Sequence, residues 1–157
     1  MIRRIGLVAI VLLAVSGCAM GDAFLGAPPS GYVQDVGERV AAVDWSAART
    51  IEVALDEYDF SPEALVFEQG VPYRLRLENT GGRTHTFVAR EFFQAIAAYR
   101  LTSAAGEVTE PYIERIEVRP GAQKELMFVP VKAGAYPLEC TVFLHDVLGM
   151  TGLITVE

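Results

Sequence analysis

The side chains able to hold a soft metal ion are few in this chain, and most lie near its C-terminus. Cys140, His145 and Met150 follow one another at intervals of five within LECTVFLHDVLGMTGLITV, Leu138–Val156. The chain has 2 histidines and 2 cysteines in all, and the other histidine, His85, opens the stretch HTFVA. Taken singly, each has a commoner use: a strand histidine is usually structural, a buried cysteine is an inert small hydrophobe, and a methionine fills gaps. The coincidence of all four carries the argument. Two imidazoles, a thiol and a thioether form a donor set for a transition metal. Sulfur donors select copper or zinc, and a trigonal His₂Cys set with a long axial Met is the arrangement found where copper transfers single electrons. Zinc prefers more thiolates or four strong positions, and a thioether serves it poorly.

Strand parity places these donors together. Along a strand, alternate residues share a face. In AYPLECTV, Tyr136, Leu138 and Cys140 share one face; in GMTGLITVE, Met150 shares parity with Ile154 and Val156. A hairpin closing between Cys140 and Met150 brings the two sulfurs close, since paired strands lie about 4.8 Å apart. His145 then sits in the loop above them. His85 has the parity of Phe87, which turns it towards the same interior.

The elements that must position these residues are short strands punctuated by turns. TIEVAL alternates Ile51, Val53 and Leu55 with polar neighbours. PYRLRLENTGG sets Tyr73, Leu75 and Leu77 on one face against Arg74, Arg76 and Glu78 on the other. HTFVA, YIERIEVRPG, KELMFVPV, AYPLECTV and GLITV complete the set. Seven or eight strands at roughly ten-residue spacing predict an all-β, Greek-key, antiparallel sandwich. One piece differs: Arg90–Leu101, REFFQAIAAYRL, carries Phe93, Ile96 and Ala97 at helical spacing and predicts a short helical excursion. Val33–Trp45 has no decisive period and reads as a leading strand or a helical turn.

The N-terminus reads as an export signal. Arg3 and Arg4 precede an apolar run, Ile5–Val15, which is too short to span a bilayer comfortably. Val15-Ser16-Gly17-Cys18 resembles a bacterial lipobox, in which the cysteine becomes the lipidated first residue of the mature chain. The expected organisation is a signal peptide over 1–17, a lipid-anchored linker and leading segment over 18–45, and the sandwich domain over 46–157. Lipidation of Cys18 leaves Cys140 without an intrachain disulfide partner. The apolar fraction of 52% owes much to this leader. Losing Arg3 and Arg4 takes the formal net charge from −7 to −9. Such acidity argues against nucleic acid and against adhesion to an anionic membrane surface, and favours a basic protein partner.

Residues 50–157 resemble the cupredoxins, the blue type 1 copper proteins. The resemblance rests on Phe60-Ser61-Pro62, Gly70 and Asn79, on His85 with Phe87, and on C-x4-H-x4-M at Cys140, His145 and Met150 before Gly152 and a closing apolar strand. The loop spacing is similar to the rusticyanin and auracyanin types more than to plastocyanin, whose Cys-to-His interval is shorter. It implies one copper ion held by His85, Cys140, His145 and Met150, with Asn79 and Thr86 beside the ligands. Two departures stand out. The loop Thr141-Val142-Phe143-Leu144-His145 lacks the Pro-Gly that many relatives have before the histidine, and Thr86 stands where many have Asn. The latter changes a hydrogen bond near the thiolate, of the kind that tunes affinity and potential.

These readings lead to an electron carrier and not an enzyme. It would exchange single electrons with a redox protein such as a c-type cytochrome or a respiratory complex, which the resemblance implies. Phe143, Leu144, Val147 and Leu148 flank His145 and would form an apolar docking collar around an exposed imidazole edge. The membrane would be reached through the N-terminal lipid alone, at the periplasmic face, and no small-molecule substrate is expected. Copper capture or delivery to a periplasmic cuproenzyme is the competing reading. It is disfavoured because delivery proteins use open, Met- and His-rich sites. Copper nitrite reductases and multicopper oxidases need further histidines, and this chain has 2 in all.

Overall fold

The computed structural model describes residues 29–108 and 112–157; the expected export signal and the expected lipidation site, Cys18, lie outside them. The elements in chain order are α1 (Val36–Ala41), a 3-10 turn (Trp45–Ala47), β1 (Arg49–Asp56), β2 (Asp59–Ser61), β3 (Ala64–Phe67), β4 (Tyr73–Asn79), β5 (His85–Phe87), α2 (Arg90–Phe93), β6 (Ile96–Ser103), β7 (Gly106–Val108), β8 (Ile116–Val118), β9 (Gln123–Pro130), β10 (Gly134–Glu139) and β11 (Thr151–Val156). None of the helices described is long and apolar enough to cross a membrane.

Six strands form one sheet in the order β2-β1-β4-β9-β6-β7, and β10-β11-β3 form a second. β5 pairs with β8, and a backbone bridge between Val88 and Glu139, with N–H···O distances of 3.1 and 3.0 Å, ties this pair to the start of the ligand hairpin. The core lies between the layers. Leu75, Leu77, Leu126 and Phe128 face it from the large sheet, and Leu65, Leu138, Ile154, Phe87, Ile116 and Val118 face it from the other side. This is the β-sandwich that the alternating patterns require: one face of each strand loses its apolar area to the core, at roughly 25 cal/mol per Å² removed from water.

Two expectations are corrected and one open reading is decided. The sandwich is mixed, not wholly antiparallel, because β1 runs parallel to β4 and β11 parallel to β3. The helical excursion shrinks to one turn, Arg90–Phe93, and Ile96–Ser103 is a strand. Ala98 of that strand packs in the central core, while Ala97 joins a second cluster with Val33, Val36 and Val129 on the outer face of the large sheet. A strand covered on both faces shows an unbroken apolar run instead of alternation. Of the two readings left open for Val33–Trp45, the helix is the one formed. α1 covers that outer face, and Trp45 stacks on Tyr99 with centroids 4.7 Å apart.

Candidate metal centre

The ligand hairpin is built by β10 and β11. Their register pairs Glu139 with Thr151, and the Cys140 N–H donates to the Met150 carbonyl at 3.1 Å, so the two sulfur residues close the hairpin opposite one another. The loop between them turns back on itself. The Met150 N–H donates to the His145 carbonyl at 2.9 Å, and the His145 N–H donates to that of Val142 at 3.0 Å. Two loop residues take left-handed backbone: Gly149 at φ +110°, where glycine meets no steric penalty, and Leu144 at φ +68°. His85 comes from elsewhere, as the first residue of β5 opposite Val118. The turn before it is pinned by Asn79, whose amide nitrogen donates to the carbonyls of Arg83 (2.7 Å) and Val118 (2.8 Å). The side-chain oxygen of Asn79 accepts from the Gly81 N–H at 3.0 Å.

These elements bring His85, Cys140 and His145 into a triangle. Their donor atoms all lie within 4.8 Å of one another. Cys140 Sγ stands 3.6 Å from His145 Nδ1 and 4.0 Å from His85 Nδ1, and the two Nδ1 atoms are 3.2 Å apart. Met150 is also fully buried, at the end of the same hairpin. With bonds of about 2.0–2.1 Å to nitrogen and 2.3 Å to sulfur, donors spread around one metal ion stand roughly 3.3–3.8 Å apart. The triangle therefore fits a single ion, and its donor types fit a type 1 copper ion. Among the described residues Cys140 is the free cysteine, and it is buried.

The surroundings hold the donors ready. The Thr86 N–H points at Cys140 Sγ from 3.4 Å, and its hydroxyl lies 3.6 Å from the same sulfur. That hydroxyl also accepts from the Thr141 N–H at 2.8 Å, so Thr86 links the β5 strand to the residue after the cysteine. Burial, and next the neighbouring His145, hold the His85 imidazole below its ordinary pKa, against the pull of Glu57 and Asp56. A depressed pKa keeps the ring neutral, and neutral imidazole is the form that binds metal.

The exposed collar is present, but the imidazole edge is not. Phe143 is 84% and Val147 76% exposed, and Leu144 and Leu148 are also on the surface, whereas His145 is 1% exposed. The tight turns of the loop carry the apolar side chains outward while folding the ring inward beneath them. Tyr58 meets the His145 ring edge to face, with centroids 4.8 Å apart.

Two neighbours of the site were not foreseen from sequence. Tyr58 and Glu57 sit in the tight β1–β2 turn, where an acidic residue beside an aromatic is commonplace, and nothing in the spacing ties them to histidines so far along the chain. The Glu57 carboxylate accepts from the N–H groups of Gly82 (3.0 Å) and Arg83 (2.8 Å), and its Oε1 stands 3.6 Å from His85 Nε2.

No protein-family model matches this sequence, and no curated protein matches it. Solved structures do. The multicopper oxidase from Campylobacter jejuni aligns with a TM-score of 0.55 and 14% identity, over 73% of this chain and 31% of its own. Auracyanin B aligns at 0.50 and 20% identity, over 73% of this chain and 93% of its own. A dithionite-reduced auracyanin from Roseiflexus castenholzii aligns at 0.50 and 21%, over 71% of this chain and 98% of its own. The chain thus spans about a third of the oxidase and nearly the whole of either auracyanin. At such identities the likeness shows the fold alone, and that fold is the cupredoxin β-sandwich.

Proposed function

We propose that this chain, a cupredoxin in fold, is a mononuclear blue copper protein that carries single electrons between redox partners. The observation that carries the reading is the buried triangle of His85, Cys140 and His145, closed by the hairpin that ends in Met150. Copper in such a site supplies a one-electron couple. The chain's own contribution is to hold four donors in place before and after transfer. Cys140 and Met150 are fixed by strand pairing, His145 by the loop's backbone bonds, and His85 by β5 and the Asn79 turn. Rigid donors leave little to reorganise when charge changes, which favours repeated transfer over capture and release.

Size supports a carrier over an enzyme. The chain matches the auracyanins along almost their full length, and its two histidines are both used by one site, leaving none for a second copper within this chain. The exposed residues around His145 supply a docking face, and we assign the partner to the haem or copper redox proteins, for which a c-type cytochrome is the natural candidate. Export and lipid attachment at Cys18 would set this exchange at the periplasmic face of a membrane.

The test is a soluble form beginning after Cys18, loaded with Cu(II) and examined by visible absorption and electron paramagnetic resonance beside Cys140→Ser. The expected result is a strong thiolate-to-copper band that ascorbate bleaches reversibly and that the variant lacks. Weakly bound copper without the band, or a band indifferent to the substitution, would remove the electron-carrier reading and leave copper capture or delivery.

A further inference from the structure

The two histidines differ in what lies behind them. When Nδ1 of a neutral imidazole faces a metal, the ring's one proton must sit on Nε2. Both Nε2 atoms are buried, and neither has a hydrogen-bond partner among the described residues. At His145 the neighbouring group is the Tyr58 ring. At His85 it is a carboxylate, Glu57 Oε1, at 3.6 Å. That distance is slightly longer than a hydrogen bond, and the carboxylate is not free to wander. Oε1 accepts from two consecutive backbone N–H groups, Gly82 and Arg83, in the turn that delivers His85. Gly81 lets the carboxylate pack closely against this turn: an added Cβ would lie 2.6 Å from Glu57 Oε2, and the carboxylate would have to shift.

We infer that Glu57 is a positioning residue of the metal centre: its carboxylate stands behind the Nε2–H of His85 and attracts it without taking the proton, fixes the ring with Nδ1 inward, and biases the site towards the oxidised ion. The inference rests on the copper reading. Its physics is plain. An acceptor behind a ligating imidazole sets the tautomer and makes the ring a stronger donor, and removing such a partner typically costs 10- to 100-fold in metal affinity. A negative charge beside one ligand also favours the more highly charged ion. Glu57 is bound to the backbone preceding His85, so charge and ring keep their relation whatever the exposed loop around His145 does.

The test compares wild type with Glu57→Gln, which can keep accepting from Gly82 and Arg83 but loses the charge, and Glu57→Ala, which loses both. In the metal-free proteins, long-range ¹H–¹⁵N correlation spectra read the His85 tautomer. Wild type and Glu57→Gln should show the proton on Nε2, and Glu57→Ala a mixture. In the copper-loaded proteins, both variants should favour Cu(II) over Cu(I) about tenfold less than wild type does, which for one electron raises the potential by about 59 mV. Glu57→Ala should in addition release Cu(II) faster. A tautomer and a potential that stay at wild-type values in both variants, with only the melting temperature lowered, would overturn the inference and make Glu57 a tie for the turn. Should wild type itself form no copper–thiolate band, the carrier reading fails separately. The metal-free tautomer then still decides on Glu57: a mixture in Glu57→Ala sustains its positioning role, and an unchanged proton position overturns it.

Discussion

At the scale of single residues, the Cys140 sulfur is held by one threonine. Thr86 offers its N–H to Cys140 Sγ, and its hydroxyl accepts from the Thr141 N–H while lying within reach of the sulfur. One side chain thus couples the strand bearing His85 to the strand end bearing Cys140. Thr86→Val keeps the shape and the backbone donor but removes the hydroxyl. The Thr141 N–H then loses its acceptor, and a donor left unpaired away from water costs about 1–3 kcal/mol. Because the Thr141 N–H bond is only partly shielded, the expected loss is about 1–2 kcal/mol in denaturant titrations of the metal-free protein, and the variant should still bind copper. The donor set was legible in the sequence through the residue types of His85, Cys140, His145 and Met150 taken with their strand parity, their place near the chain end and the resemblance to the cupredoxins. Glu57 was not, because a carboxylate in a turn is usually a solvated charge, and its distance from His85 is set by the folding of two separate turns.

At the scale of elements, the close approach of β11 to the segment before β3 is what aims the ligand hairpin. Gly152 lies two residues after Met150, and a Cβ there would stand 2.4 Å from the Glu63 carbonyl oxygen and 3.2 Å from the Leu138 side chain. That carbonyl cannot retreat freely, since it accepts from the Leu153 N–H at 2.9 Å. Gly152→Ala should therefore cost about 1–3 kcal/mol, as inserted carbons do in packed interiors. The same shift should displace Met150, seen as a changed ratio of the visible bands in the copper-loaded protein. Strand positions were readable because Leu75/Leu77 or Ile116/Val118 alternate cleanly with polar neighbours. Strand partners were not, since a period of two is the same in parallel and antiparallel ladders. For this reason the β1–β4 and β3–β11 pairings appear only in the folded molecule. The apolar run of β6 imitated a helix because Ala97 and Ala98 are covered from opposite sides.

At the scale of the whole molecule, an acidic body presents an apolar patch around the ligand loop, with the exposed Asp146 set among its apolar side chains. Phe143 and Val147 are the most exposed apolar side chains there, and clustered exposed apolar groups mark places where another surface is met. Replacing both with serine should leave the visible band, the potential and the melting temperature unchanged. Electron exchange with a c-type cytochrome should slow several-fold in stopped-flow mixing. With a basic partner, the wild-type rate should also fall as salt rises, because the net charge of −7 steers encounter from outside the patch. Leu144, held at φ +68° beside His145, is the point at which this outer face and the buried ring share one stretch of backbone. The four donors are also unequally spread along the chain: three lie between Cys140 and Met150, and the fourth, His85, is 55 residues before the cysteine. Closing the short segment costs far less entropy than gathering the distant one. The denatured chain is therefore expected to act as a chelator in its own right, keeping copper on these three donors after the sandwich has come apart. Heat or denaturant would separate the metal only from His85, so bound copper raises the midpoint of unfolding by less than its affinity for the folded protein implies.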